Sequence, residues 1–278
     1  MSKRKRSLPT LWEVPDELWE RTEPLLKRFD PPASTGRHPV DQRRVLDAII
    51  FRLRTGCQWN HIPRVYGDDS TIHRYFQHWC AAGFFKKLWA RLVRECDELK
   101  GVQWKWQAAD CMLGKARCGG DAVGPNPTDR GKNGTKKSLV TEGAGGPLGA
   151  VVAAANVNDD QLLRQTLEAI VIPRPRIRKN RTQHLSLDKA YDTPTGKRVV
   201  AQKHYIPHIR RRGEAPVPKA QRKYPARRWV VERTLAWLSK CRALLVRYDK
   251  DPQHYLGLLQ FACALLWYRR LLMKQARH

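Results

Sequence analysis

Acidic side chains are scarce in this 278-residue chain: 26 Asp and Glu stand against 53 Lys and Arg, a formal net charge of +27. The excess runs along the whole chain instead of sitting in one tail, which points to a polyanionic partner. Long apolar runs are lacking too. The longest, Phe261 to Tyr268, falls far short of the roughly 20 residues that cross a bilayer, and no signal-peptide pattern opens the chain, so a cytoplasmic protein without membrane contact is expected. Cysteines number only 7 and form no CxxC pair, so reduced and mostly buried thiols are expected. Cys111 and Cys118, with His204 and His208, leave a zinc site open by spacing, but the usual ligand spacings are missing. No internal repeat is visible.

What is present is enough apolar residue, 41%, to build a core, over a length that suits two domains. Residues 1–7 read as a basic, disordered tail, 8–98 as a helical domain and 99–278 as an α/β domain. Pro15, Asp16 and Glu17 mark one helix start. Asp41 reads as the N-cap of a second helix, with Val45, Ala48, Ile49 and Leu53 on one face and Gly56 as its end. A third helix is predicted from Ser70 as cap, with Ile72, Tyr75, Phe76 and Trp79 turned inward at helical spacing. Its other face carries Thr71, His73, Arg74, Gln77 and His78, side chains able to hydrogen-bond base edges or phosphates. That is the pattern of a recognition helix, although the connector Cys57 to Asp69 is longer than a tight helix-turn-helix allows, and a plain solvent face fits the same residues.

From about residue 101 the pattern changes to strands. Val102, Trp104, Trp106, Ala108 and Asp110 share one parity, predicting a strand that ends at Asp110. A Gly-rich basic loop, Gly114 to Lys137, follows, whose Lys136 and Lys137 are candidate DNA contacts. Ser138 to Glu142 and Leu148 to Ala155 flank a Gly-rich turn as a hairpin. A helix over Asp160 to Ile170, a short strand Leu185 to Leu187, a helix Thr195 to Lys203 and a strand Tyr205 to Ile209 complete a mixed sheet with helices. The stretch Arg210 to Arg228 is strongly basic, and the sequence predicts an amphipathic helix Pro252 to Lys274 that completes the core or forms an interface between copies of the chain.

Among so many cations, three acids stand out. Asp110 closes the Trp-rich strand, Asp188 follows Leu185-Ser-Leu187, and Glu232 lies in the helix Arg227 to Leu238 with Arg228 one turn before it. Scattered carboxylates delivered to one sheet rim are what phosphodiester chemistry with two divalent ions about 3.5 to 4 Å apart requires. Taken singly, each acid fits a structural ion pair as well.

The chain resembles bacterial insertion-sequence transposases of the DDE class, in the large group typified by insertion sequence five. The likeness rests on RVLDAIIFRLRTGCQWNHIP (Arg44 to Pro63), STIHRYFQHW (Ser70 to Trp79), the run Gly124 to Asp160, LDKAYD (Leu187 to Asp192) and RRWVVERTLAWL (Arg227 to Leu238). The resemblance implies a ribonuclease-H-like catalytic domain preceded by an all-α, helix-turn-helix-like DNA-binding domain. It implies Asp110, Asp188 and Glu232 as catalytic residues and metal ligands for two Mg2+, with Mn2+ substituting. It implies double-stranded DNA, transposon ends and target, as partner, a homodimer or higher oligomer on DNA, and a nucleoid-associated location. Arg227, Arg228 and Lys240 are further candidate DNA contacts. The chain departs from the family's tyrosine, arginine, glutamate, lysine signature. Tyr224 stands one place too far from Arg228, and Lys240 falls one place late, about 80° around the helix from Glu232. Two rival readings are a transposase-derived DNA-binding protein without catalysis, which would tend to lose the triad, and a nuclease using the same site without strand transfer.

Overall fold

The computed structural model describes residues 10–30, 40–178, 181–210 and 227–275. The tail 1–7, Tyr224 and most of the basic stretch before Arg228 lie outside the described residues. Four helices lead: α1 (Asp16–Phe29), α2 (Gln42–Thr55), α3 (Asp69–Ala81) and α4 (Phe84–Glu98). The start of α2 is as expected, with the Asp41 carboxylate accepting from the backbone N–H of Arg43 and Arg44. Its end is Gly56, in the left-handed region at φ 68, where an added Cβ would press on Arg242 at 3.0 Å. In α3 the cap is Asp68, two residues earlier than Ser70. Its carboxylate accepts from Thr71 N–H at 2.9 Å and from the Ser70 hydroxyl at 2.6 Å, and these bonds hold its pKa down at about 2. Two 3-10 turns, Trp59–His61 and Arg64–Tyr66, fill the long connector before it.

The sheet is built from β1 (Trp106–Ala116), β2 (Gly124–Pro125), β3 (Asn133–Glu142), β4 (Pro147–Ala154), β5 (His184–Leu187), β6 (Ile206–Ile209) and β7 (Val246–Arg247). Its main strands lie in the order β4, β3, β1, β5, β6, with β3 antiparallel to β1 and β5 and β6 parallel to it. That order and polarity are those of a ribonuclease-H-like sheet. The edge pieces β2 and β7 pair β3 and β1. The remaining helices are α5 (Asp159–Glu168), α6 (Pro194–Gln202), α7 (Trp229–Leu238), α8 (Arg242–Leu245) and α9 (Pro252–Gln275).

Strand β1 runs well past Asp110, because its ladder with β3 continues to Lys115 opposite Gly134. Nothing in Cys111-Met-Leu breaks a strand, and the basic loop shrinks accordingly. Successive side chains on a strand face opposite ways. On β3 the Ser138 hydroxyl bonds Thr166 of α5, while the Lys137 ammonium donates to Leu244 O of α8 and to the Tyr255 hydroxyl of α9. Helices therefore cover both faces, which is why β3 is buried along almost its whole length.

One buried cluster joins the N-terminal helices to the sheet. Helix α4 lies along α9, with Phe85 against Phe261 at 5.2 Å between ring centres. Trp89 of α4 and Trp267 of α9 both donate to the carbonyl of Pro147 at the start of β4. Among the described residues α9 is long and apolar enough to cross a membrane, but 61% of its most apolar window is buried inside the protein, as suits a core helix. The hairpin turn between β3 and β4 is organised by the fully buried Glu142, which accepts from Gln103, Ala144 and Gly146 N–H and pairs with Arg270 at 2.6 Å. An added Cβ on Gly146 would meet the Trp267 ring at 2.3 Å, so only glycine fits.

Candidate active site

Three segments far apart in sequence deliver the acids to one place. The parallel register of β1 and β5 sets Ala108 beside Ser186, and two residues further on each chain come Asp110 and Asp188, on the same face by parity. Asp110 faces the same side as Lys137, because its partner on β3 is Leu139, so it points to the side of the sheet that α7, α8 and α9 cover. Helix α7 buries Val230, Val231, Thr234, Leu235 and Leu238 against that side and leaves Glu232 in solvent next to the two aspartates.

Arg228 joins all three. Its guanidinium is 2.9 Å from Glu232, 3.2 Å from Asp188 and 3.9 Å from Asp110. Asp110 is the most enclosed of the three, its side chain 14% exposed. Burial pushes its pKa up to about 6, against the lowering effects of a bond from Cys111 N–H and of Arg228, while Asp188 and Glu232 push it further up. An enclosed carboxylate beside two others needs a cation to stay ionised, and Arg228 supplies one. The donor set is all carboxylate oxygen, the kind hard divalent cations take. Among the described residues no group of three His, Cys, Asp or Glu side chains is arranged ready to hold a metal; in the triad the middle is taken by the guanidinium. Of the cysteines and histidines singled out by spacing, Cys111 Sγ lies 3.5 Å from the Tyr191 hydroxyl and His208 bonds His184 at 2.9 Å. Asp192 pairs with Lys197 at 2.7 Å, and the cap of α6 is Thr193.

The candidate DNA contacts divide. Arg74, Gln77 and His78 are exposed on α3, and Thr71 is half-buried beside them. His73 instead stacks on Trp59 at 4.5 Å and, with Gln77, lines a cleft of about 910 Å3 that also includes Arg52, Tyr248 and His254. Arg52 is buried there against Asp249 at 3.0 Å. Lys240 is exposed, Arg228 half-buried, and half-buried Arg227 lies over the Trp106 ring. Lys136 and Lys137 do not reach the surface. Lys136 is buried and donates to Val157 O and Asp159, and Lys137, 2% exposed, is spent on Leu244 O and Tyr255. Both sit on a strand covered on both faces, where the usual exposure of lysine fails. Trp229 and Trp237 face solvent. Arg233 lies between them, a feature readable in the sequence only as an i, i+4, i+8 series.

Two family models match the chain. The one described as "Putative transposase of IS4/5 family" covers residues 14–89, and the one described as "Transposase DDE domain" covers residues 104–267. Among curated proteins the chain is similar to the "Putative transposase for insertion sequence element IS402" of Burkholderia cepacia, 34% identical over 58% of this chain and 75% of that protein. It is also similar to the IS402 uncharacterized 16.2 kDa protein of the same organism, 32% identical over 41% of this chain and 80% of that protein. Among solved structures it aligns with the Mos1 mariner paired end complex with Mn at 8% identity and a TM-score of 0.26, over 93% of this chain and 86% of that one, too distant a likeness to argue from. With a DDE-domain match over more than half its length and three acids gathered on one side of a ribonuclease-H-like sheet, the chain belongs to the insertion-sequence DDE transposases and is a DNA transposase.

Proposed function

We propose that Asp110, Asp188 and Glu232 are the catalytic residues, that they hold two divalent ions, Mg2+ with Mn2+ able to substitute, and that the chain cuts at the terminal inverted repeats of its element and joins the freed ends to target DNA. The observation that carries this is the convergence of three carboxylates from β1, the end of β5 and α7 on the one guanidinium of Arg228. A pair of divalent ions there supplies positive charge to the attacking and leaving oxygens of the phosphate and acidifies a bound water. The chain's own part is positional. Strand register fixes the two aspartates side by side, and α7 sets Glu232 opposite them with Arg228 one turn away.

Arg228, once drawn off the carboxylates, is placed to contact a phosphate, and Arg227 just before α7 and Lys240 just past its end neutralise backbone charge. The exposed Arg74, Gln77 and His78 of α3, with Thr71, support a reading in which the helical segment 8–98 reads the repeats while 99–278 carries the chemistry. Processing two ends together calls for at least a dimer on DNA. The test is incubation with end-bearing DNA and Mg2+. The wild type nicks and joins; Asp110→Ala, Asp188→Ala and Glu232→Ala bind the DNA but do neither. Activity in any one of the three removes that residue from the site.

A further inference from the structure

The solvent side of α7 is unusual in what it exposes. Trp229 is 53% exposed and Trp237 36%, while the guanidinium of Arg233 lies 4.7 Å from the centre of one ring and 4.8 Å from that of the other. Positions 229, 233 and 237 fall one turn apart, so their backbones climb about 12 Å along the helix axis, while the side chains close in on each other with the arginine between the two rings. Arg233 is itself tethered, donating to Ala144 O at 2.7 Å in the turn that Glu142 organises. Both indoles leave apolar surface in solvent, and the cation between them holds both rings in place. Glu232 belongs to the same solvent stripe, immediately before Arg233.

We propose that Trp229 and Trp237 form a stacking platform for the unpaired bases of a DNA strand whose phosphate lies at the triad. Every base offers a flat face, so such a platform takes single-stranded DNA without regard to sequence. A duplex keeps those faces covered. The charge around the platform suits the same occupant: Arg227 and Arg228 precede it, Lys240 follows it, and the chain carries +27. The neighbourhood of the triad rests on the catalytic assignment above; the stacking itself does not.

The test is therefore run without divalent metal, by fluorescence anisotropy of a labelled oligothymidine and of a blunt duplex. Trp229→Ala and Trp237→Ala each weaken binding of the oligothymidine by about 5- to 150-fold, the range of one lost base stack, and leave the duplex within about twofold. Trp229→Phe and Trp237→Phe, which keep a ring, retain most of the affinity, so a loss in the alanine variants alone is not a folding defect. The assay holds no divalent metal and reads binding alone, so its outcome does not depend on whether the triad is catalytic. Single-strand affinity unchanged in both alanine variants overturns the platform, as does an equal loss on both forms of DNA. Intact single-strand affinity with altered sedimentation overturns it as well, and assigns the rings to contact with a second copy of the chain.

Discussion

Replacing Arg228 by Gln should make the triad a better cation site before any DNA arrives. The guanidinium now neutralises three carboxylates at 2.9, 3.2 and 3.9 Å, and an incoming divalent ion has to displace it. Arg228 is 43% exposed, Glu232 45% and Asp188 36%, so the pairs with the last two are screened and are worth well under about 1 kcal/mol each. Asp110 is more enclosed, and its share is larger although its contact is the longest. A total of about 2 kcal/mol follows, equivalent to roughly a 30-fold change in affinity. Titration of Mn2+ followed by electron paramagnetic resonance, at fixed ionic strength and without DNA, should show Arg228→Gln binding about 30-fold tighter than the wild type. Adding end DNA should narrow that gap, since a phosphate that draws Arg228 away favours the metal by the same factor by which the metal favours the DNA. Equal or weaker Mn2+ binding by the variant would refute the competition.

Two further outcomes concern stability. Lys137 has its pKa lowered to about 8 by burial, so the folded protein carries a costly charge below that pH and sheds it above, while the unfolded chain keeps its proton to about 10.5. Stability should rise by about 2 kcal/mol between about pH 8 and 10, and Lys137→Met should abolish that rise in urea titrations while leaving Leu244 O its bond from Tyr255. A slope that survives in the variant would exclude Lys137 as its source. Asp249→Ala leaves Arg52 charged and buried, with its Nε and Nη1 already without partners, and should cost about 3 to 5 kcal/mol in denaturant unfolding. A loss below about 1 kcal/mol would mean that water reaches the guanidinium.

Local chemistry made much of this molecule legible from its sequence. Asp41 and Gly56 bound α2 because a carboxylate cap and a left-handed glycine act within one turn, and the β3–β4 hairpin announces itself through its glycines. The cap of α3 was misplaced because Asp68 and Ser70 both offer an oxygen to the same first turn, and only the backbone path decides between them. Lys136 and Lys137 looked like phosphate contacts because sequence shows charge and not cover. With helices on both faces of β3, the alternation that marks a solvent side disappears. Trp229 and Trp237 show the converse limit, apolar rings that face solvent. Helical spacing says which residues share a face but not whether that face meets the core, and on α7 the valines and leucines took the inner side. The three acids stand out in their motifs, whereas the bridging position of Arg228 among them depends on strand register that no local pattern encodes.

The pairing of α4 with α9 bears on how such genes can be remodelled. Trp89 and Trp267 meet at one carbonyl, and Phe85 leans on Phe261, so the leading helices supply part of the wall against which the last helix folds. Grafting a foreign helical segment onto residue 99 would strip that wall and leave aromatic surface bare. The surface of the helical segment is thus more easily altered by exchanging side chains on the outer face of α3 than by swapping the whole segment.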